Sequence, residues 1–321
     1  MFGLTFLSAT SKTTTHRVVP FRMGNLGGVA GYVAGGSLSS GFTSGIDKIA
    51  FAADTKTTLS ATLTTARENA SGFANSGVAG YAAGGYGGSD ISGIDKISFP
   101  ADTKSTLSAT LTGGRQAPAG FANSAVAGYA AGGYGGGTRH SNIDKVAFPA
   151  DTKTTLSATL TTAQYTATGF ANSGVAGYVA GGEGSGGFLS GIDKIAFAAD
   201  TKTTLSATLT TARFQVAGFA NSGVAGYIAG GDDASRISGI DKVSFVADTK
   251  TTLSATLTTA RSGMAGFANS GVAGYVAGGF DGSFVSGIDK VTFAADTKST
   301  LSATLTTARR YVAGFANSGT L

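Results

Sequence analysis

The chain has 321 residues, no cysteine and a formal net charge of +5. Without cysteine it can form no disulfide, no thiolate metal site and no cysteine nucleophile. No segment approaches the roughly 18 consecutive apolar residues of a membrane-spanning helix, and the first residues lack the basic leader of a usual secretion signal. We therefore expect a soluble protein without membrane insertion, which makes the cytoplasm a possible location.

The positive charge comes from one repeated position. Single arginines follow Thr-Ala or Gly-Gly in five places, and Gln164 occupies the sixth equivalent place. Evenly spaced single arginines are unlike the clustered basic stripe of a nucleic-acid-binding surface. We therefore expect no nucleic-acid partner. The five arginines are Arg67, Arg115, Arg213, Arg261 and Arg309.

A short pattern, Gly-Tyr-(Val/Ala/Ile)-Ala-Gly-Gly, recurs six times along the chain at a spacing of 48 or 49 residues. A fixed period of this length is typical of a repeat architecture. The first glycine of the Gly-Gly pair is Gly35, Gly84, Gly132, Gly181, Gly230 or Gly278.

The second copy illustrates the strands that we predict in each repeat. Residues 72–75 and 78–83 are short apolar runs on either side of an Asn-Ser-Gly turn signal, which predicts a tight hairpin of strands a and b. Residues 94–99 alternate, with Ile94 on one side and Ile97 on the other, which predicts strand c.

The rest of the copy predicts a turn and a fourth strand. Residues 102–104, Asp-Thr-Lys, form the predicted turn, in which the Asp102 side chain caps its own backbone. Residues 106–112 are rich in threonine, which favours strand d. Six copies of four short antiparallel strands predict an all-β, six-bladed β-propeller of four-stranded blades. An open solenoid is the alternative.

The two ends of the chain predict how the ring closes. Residues 313–319 repeat strand a with no strand b after them, and residues 28–36 form a strand b preceded by a degraded strand a. The C-terminal strand can therefore complete the first blade and leave no exposed edge. This assigns the propeller to residues 27–321 and leaves residues 1–26 as an N-terminal arm or a divergent partial repeat.

The order of residues in a copy resembles the kelch repeat. In residues 213–231 an arginine precedes a small-residue strand and Tyr-Ile-Ala-Gly-Gly, and Phe245 and Asp248 follow after a variable loop. The resemblance covers nearly the whole chain and implies a propeller whose b–c and d–a loops line the ligand face. The chain departs from the family in having leucine for tryptophan in strand d and phenylalanine before the aspartate. Its near-identical copies also resemble amplified kelch-like repeats of bacterial and phage structural proteins.

The copies differ strongly in only two windows. The first window is the b–c loop after Gly-Gly, and the second is the d–a connection after the arginine. Alternating strand direction places both windows on one face, whereas the a–b and c–d turns of the other face are almost constant. Because aromatic and charged residues are enriched in contact surfaces, we predict a binding face there. Unconstrained loop drift is the alternative.

The predicted contact residues are Phe42, Glu68, Tyr86, Asp90, Tyr134, Arg139, His140, Tyr165, Glu183, Phe188, Phe214, Gln215, Asp232, Asp233, Arg236, Phe280, Asp281, Phe284, Arg310 and Tyr311.

Catalytic groups are scarce in the sequence. The two histidines, His16 and His140, have no partners spaced for a zinc site or a nucleophile–base pair. Some kelch proteins are copper-radical oxidases, but these need a tyrosine–cysteine crosslink. We therefore predict no enzyme, no metal and no cofactor, and a hydrolase or oxidase is the weakest alternative. The paired Asp232 and Asp233 with Glu183 leave a cation or a basic ligand as a further alternative.

The function that we expect is recognition. The leading hypothesis is a binding module of a phage tail or virion, or another extracellular surface, that contacts a host glycan or protein. The second is a structural protein that assembles into a virion or other large particle. Homo-oligomers are possible in either case.

Overall fold

The computed structural model describes residues 29–318. In this range the chain forms β-strands and loops, with no helix, so the predicted all-β class is confirmed. None of the described residues belongs to a helix that could cross a bilayer. The predicted N-terminal arm, residues 1–26, lies outside the described residues.

The main strands form six four-stranded antiparallel sheets, an arrangement consistent with a propeller. In each sheet the spatial order is a, b, c, d. The strands are, in sheet 1, Ala313–Asn317, Ala30–Ala34, Ile46–Ala50 and Thr55–Thr58; in sheet 2, Ser71–Asn75, Ala79–Ala83, Ile94–Ser98 and Thr103–Thr106; in sheet 3, Ala119–Asn123, Ala127–Ala131, Asn142–Ala147 and Thr152–Thr159; in sheet 4, Thr168–Asn172, Ala176–Ala180, Ile192–Ala196 and Thr201–Thr204; in sheet 5, Ala217–Asn221, Ala225–Ala229, Ile240–Ser244 and Lys250–Thr252; and in sheet 6, Ala265–Asn269, Ala273–Ala277, Ile288–Thr292 and Thr297–Thr300.

Strand register defines two ends of each sheet. In sheet 2, Ser71 pairs with Ala83, Ala83 pairs with Ile94, and Asp95 pairs with Thr106. The b–c loop and the d–a connection therefore leave the same end, which we call the variable end. The a–b and c–d turns lie at the opposite end, the constant end.

The C-terminal strand belongs to the first sheet. Ala313–Asn317 pairs antiparallel with Ala30–Ala34, and Ala313 lies opposite Ala34. The pairing predicted between the two ends of the chain is therefore present. It supplies strand a to a sheet whose other three strands come from the start of the described chain.

Apolar packing joins consecutive sheets on both of their faces. Each of six buried clusters contains residues of two neighbouring sheets, and one of them joins sheet 6 to sheet 1. In sheet 2, Ile94 packs towards sheet 3, whereas Ile97 packs towards sheet 1. The alternation predicted for strand c therefore buries both of its sides. Tyr81 stacks between Phe73 and Phe148 at ring distances of 5.3 and 5.2 Å.

A glycine in each strand a permits close approach of the sheets. A Cβ atom on Gly72 would lie 2.1 Å from the carbonyl oxygen of Gly314, and one on Gly120 would lie 2.3 Å from that of Gly72. Real Cβ atoms do not approach a backbone oxygen so closely, so only glycine fits. The close approach of neighbouring strands a therefore explains the glycine that each of them carries.

Strand d starts and ends earlier than predicted. In sheet 2 it spans Thr103–Thr106, and most of the predicted segment 106–112 lies outside the ladder. Leu111 instead enters the core between sheets 2 and 3, while Thr112 donates two hydrogen bonds to Asp144 of sheet 3. Threonine-rich sequence favours a strand, but these contacts with the next sheet prevail over it. Sheet 3 keeps a longer strand d, Thr152–Thr159.

The Asp-Thr-Lys prediction is wrong about its aspartate. Asp102 adopts a left-handed conformation with φ of 50°, and its carboxylate accepts hydrogen bonds from Tyr32 Oη at 2.9 Å and Lys48 Nζ at 2.7 Å. Both donors belong to sheet 1. A buried tyrosine hydroxyl needs a partner, and the aspartate of the next sheet supplies it. Thr103 and Lys104 are part of strand d and not of the turn.

Candidate functional site

A buried polar network connects neighbouring sheets next to the variable end. The Asp95 carboxylate of sheet 2 accepts hydrogen bonds from the backbone and hydroxyl of Thr64, at 2.8 and 2.6 Å, from Thr106 Oγ1 at 2.8 Å and from Arg67 Nη2 at 3.1 Å. Arg67 also donates to the Ala82 carbonyl at 3.0 Å. Because Arg67 directly precedes the second variable window, this network anchors that window to the neighbouring sheet.

Charges in this network lie almost entirely out of water. Burial lowers the pKa of the Arg67 guanidinium, and Asp95 opposes this change only in part. Burial would raise the pKa of Asp144, but hydrogen bonds from Thr112 and Thr155 and the charge of Arg115 outweigh it and hold that pKa below its usual value. Each of the five repeated arginines thus forms an internal ion pair and is not available to an external anion.

Sheet 4 lacks this arginine. Its aspartate, Asp193, keeps the donors Thr161 and Thr204, but Gln164 occupies the position of the arginine. The Asp193 side chain is 7% exposed, compared with 0% for Asp144. Sheet 4 therefore allows a comparison, within one chain, of how much the buried ion pair contributes to stability.

At the variable end of each sheet, short antiparallel pairings connect the second window with the first, and beside sheet 4 they form a small three-stranded ladder. In sheet 4, Tyr165 lies opposite Glu183, and Glu183 lies opposite Phe188. Directly opposed residues of an antiparallel ladder project their side chains to the same side. One residue of the second window and two of the first window therefore form a cross-strand set of three.

We call these sets the variable triads. They are Arg310–Ser37–Phe42 in sheet 1, Glu68–Tyr86–Asp90 in sheet 2, Gln116–Tyr134–Arg139 in sheet 3, Tyr165–Glu183–Phe188 in sheet 4, Phe214–Asp232–Arg236 in sheet 5 and Ser262–Phe280–Phe284 in sheet 6.

Most predicted contact residues occupy triad positions. The exceptions are His140, Gln215, Asp233, Asp281 and Tyr311. The prediction missed Ser37, Gln116 and Ser262, which stand at triad positions but are neither aromatic nor charged. Aligning the six copies column by column would have found them, because they share a repeat position with residues that the prediction included.

Polar triad side chains contact the triad of the next sheet. Arg139 Nη2 of sheet 3 lies 2.6 Å from Glu183 Oε1 of sheet 4, and Tyr165 Oη donates to Glu183 Oε2 at 2.9 Å. The Tyr134 and Tyr165 rings are 5.5 Å apart. This group of four residues joins two sheets while its charged side chains remain 21–29% exposed.

Aromatic triad side chains form similar contacts at other sheet boundaries. Phe42 of sheet 1 meets Tyr86 of sheet 2 edge to face at 5.8 Å, and Phe188 of sheet 4 stacks on Phe214 of sheet 5 at 4.5 Å. The Arg236 guanidinium lies 4.6 Å from the centre of the Phe280 ring. These contacts place aromatic and charged groups next to each other along the variable end, where Phe188 and Arg236 are exposed and the other rings are half-buried.

One carboxyl of a triad is electrostatically perturbed. Burial raises the pKa of Glu68, and a hydrogen bond with Ser37 and the charge of Arg310 offset this rise only in part. A partly desolvated carboxyl that keeps a raised pKa is a group that a ligand donor would stabilise in its charged form.

The d–a connections meet around a central cavity of about 120 Å³ at the variable end. Their backbones form a closed circuit of six hydrogen bonds of 2.7–3.0 Å, in which each residue donates to the equivalent residue of a neighbouring sheet. Beside this cavity, Gln215 Nε2 lies 2.9 Å from Tyr311 Oη. The six residues of the circuit, each with φ between 52° and 71°, are Asn69, Ala117, Thr166, Gln215, Gly263 and Tyr311.

The other three predicted residues serve their own loops. The Asp233 and Asp281 carboxylates accept hydrogen bonds from the backbone of Ser235 and Ser283, both at 3.2 Å. The His140 ring lies 3.2 Å from the Gly135 carbonyl. Within residues 29–318 no three acidic or histidine side chains gather as metal ligands would.

No protein-family model matches this chain, and no curated protein matches it.

Proposed function

We propose that the protein is a non-catalytic recognition module, built as a kelch-like, six-bladed β-propeller, that binds a glycan or protein through its variable end. Three observations support the closed ring of blades. Strand a of sheet 1 comes from the C-terminus, an apolar cluster joins sheet 6 to sheet 1, and the hydrogen-bond circuit at the central cavity returns to its first residue. A closed ring leaves no sheet edge exposed.

The observation that carries the proposal is where the six copies differ. The supporting network of Asp, Thr and Arg and the turns of the constant end repeat almost unchanged, whereas the triads differ in charge, size and aromatic character. Loops that vary on a rigid scaffold are where proteins place binding residues. A rigid scaffold also lowers the entropic cost of binding.

The chemistry of the triads favours a surface ligand with both apolar and hydroxyl or charged groups. The rings of Tyr86, Tyr134 and Tyr165 are half-buried, so a flat ligand group can stack on them without reordering a flexible chain. The Arg139–Glu183 pair beside them offers both donors and acceptors. Sugars of a host envelope, or a protein loop, fit this combination. We propose a phage tail, virion or extracellular setting on this basis.

The proposal of a non-catalytic protein has its own support. Within residues 29–318 the single histidine is His140, and its ring contacts the carbonyl of its own loop. The buried carboxylates of the Asp95 type are surrounded by threonine and arginine donors of neighbouring sheets. Groups used in this way hold sheets together and leave no free nucleophile–base pair at the variable end.

Binding to an array of envelope glycans, together with pull-down from host envelopes, tests the proposal. We expect Tyr134→Ala combined with Tyr165→Ala to weaken binding at least about tenfold, since each buried aromatic contact contributes about 1–2 kcal/mol. Val175→Ala at the constant end is the matched control and should bind as the parent does. Equal binding by the parent and the tyrosine variant would contradict the proposal.

An assembly role in a virion or other particle is the second candidate function. The observation that favours it is a set of exposed valines at the constant end, away from the triads. Removing residues 1–26 should then prevent incorporation into the particle while leaving the sheets folded, as circular dichroism would measure.

A further inference from the structure

Exposed apolar side chains concentrate at the constant end. Among the described residues, seven large apolar side chains are exposed, and only Phe188, 37% exposed, lies at the variable end. Five others are equivalent valines that follow the Asn-Ser-Gly or Asn-Ser-Ala turn between strands a and b, each 49–55% exposed. The sixth is Val246, in the c–d turn of sheet 5, at 90%. The five equivalent valines are Val78, Val126, Val175, Val224 and Val272.

The turns that carry these valines surround one point. A cavity of about 180 Å³ at the constant end is lined by an alanine and a serine from each of the six sheets. In the ring of blades proposed above, the valines therefore form an array around the central axis. Exposed apolar side chains gathered at one end of a protein are characteristic of an interaction surface.

Hydrogen bonds between neighbouring turns hold this array in place. The Ser76 nitrogen donates to Ser124 Oγ at 3.2 Å, and the Ser124 nitrogen donates to Ser173 Oγ at 3.1 Å. The Ala125 nitrogen donates to Asn75 Oδ1 at 3.1 Å. Such links order the turns before any partner arrives, so little entropy is lost on binding.

The charges of the constant end are matched within the molecule. The aspartate of each c–d turn accepts from a lysine of the preceding sheet at 2.6–2.7 Å and from a buried tyrosine hydroxyl. Among residues 29–318, therefore, no excess of one sign at this end repels an identical surface. This differs from the variable end, where the triads carry a different mixture of charges in each sheet.

We propose that the constant ends of two copies of this chain stack on each other, valine array against valine array, and leave both variable ends facing outwards. The proposal rests on the ring of blades in the proposed function, but it requires no ligand. A second copy fits because it presents the same five valines and the same pairing of charges among its described residues, and a two-fold contact uses one self-complementary patch. The two variable ends would then face opposite directions, so one dimer could link two separate ligand-bearing surfaces.

The first test measures the mass of the full chain in solution by sedimentation at concentrations up to about 100 µM. We expect a dimer. Replacing Val126, Val175 and Val224 by lysine should raise the dimer dissociation constant at least about 100-fold, through lost apolar contact and added repulsion. Phe188→Lys at the variable end is the control and should leave the dimer unchanged. A monomeric parent, or a dimer unaffected by the three lysines, overturns the proposal.

The second test does not depend on whether the lysine variant folds. Because the chain has no cysteine, a single introduced cysteine reports its own surroundings. Under mild oxidation the five valine-to-cysteine variants, tested singly and mixed two at a time, should give a disulfide-linked dimer in at least one combination, because a two-fold contact pairs each position with a partner position. Phe188→Cys should stay monomeric on a denaturing gel. Crosslinking by Phe188→Cys and by none of the valine combinations would also overturn the stacking. Since neither test uses a ligand, their failure would leave the variable-end binding proposal untouched.

Discussion

Two of the sets of polar contacts that join neighbouring sheets differ in how deeply they are buried. In the buried network Asp144 is fully out of water and accepts from Thr112, Thr155 and Arg115. At the variable end the Arg139–Glu183 pair is shorter, 2.6 Å against 2.9 Å, yet both side chains are 20–30% exposed. The distance between the charged atoms therefore does not show which ion pair contributes more to stability. The repeated residues hold neighbouring sheets together. The residues at the variable end can therefore differ from sheet to sheet without loss of the fold.

Alkaline unfolding should show the largest effect, and it tests another repeated set of contacts, the tyrosine–aspartate hydrogen bonds between neighbouring sheets. Burial, together with the charge of the neighbouring aspartate and the hydrogen bond to it, raises the pKa of Tyr81 and its five equivalents far above the usual value. Since the folded-state pKa is the higher one, stability is full below about pH 10 and falls as pH rises further, by up to about 1.4 kcal/mol per pH unit for each tyrosine. Tyrosinate absorbance should therefore rise together with loss of β-structure.

One result of the same titration would contradict this account of the tyrosines. If these six tyrosines ionised near their ordinary pKa while circular dichroism stayed native, the buried Tyr–Asp contacts would not hold the sheets as described.

Removal of one carboxylate from each set should show that the two sets differ in their contribution to the free energy of unfolding. Asp144→Ala leaves Arg115 buried without its partner, and we expect a loss of about 3–5 kcal/mol in the free energy of unfolding. Glu183→Ala breaks a partly exposed pair and should cost about 0–1 kcal/mol. Urea denaturation of the two variants measures both. Similar losses would remove the distinction between the two sets.

The missing arginine of sheet 4 provides a smaller, reciprocal test. Arg213→Gln in sheet 5 copies the natural arrangement of sheet 4, in which threonine donors still satisfy the aspartate, so we expect a loss of about 1–3 kcal/mol. Gln164→Arg should gain up to about 1 kcal/mol, because the added charge must also be desolvated. Thermal denaturation of both variants checks the pair. A destabilising Gln164→Arg would mean that sheet 4 has a different interior.

The sequence predicted most reliably the features that depend on a single copy. The all-β class, strands a, b and c, and the common end of the two windows follow from alternation and turn signals within about 48 residues. Strand d and the role of Asp102 were predicted wrongly because both depend on the next sheet. Thr112 leaves its own ladder for Asp144, and Asp102 bonds to Tyr32. The triads were found only in part, because Gln116 and Ser262 become significant through register and not through residue type.

The most direct test of the central claim gives every sheet the same triad. In this variant Glu–Tyr–Asp, as in Glu68, Tyr86 and Asp90, replaces the other five triads, and the buried networks and the constant end stay unchanged. If the triads differ because they recognise a ligand, the variant should unfold cooperatively and remain monodisperse, but lose binding to the envelope glycans or proteins that the parent binds. Binding equal to that of the parent would contradict the account, and so would a variant that no longer folds.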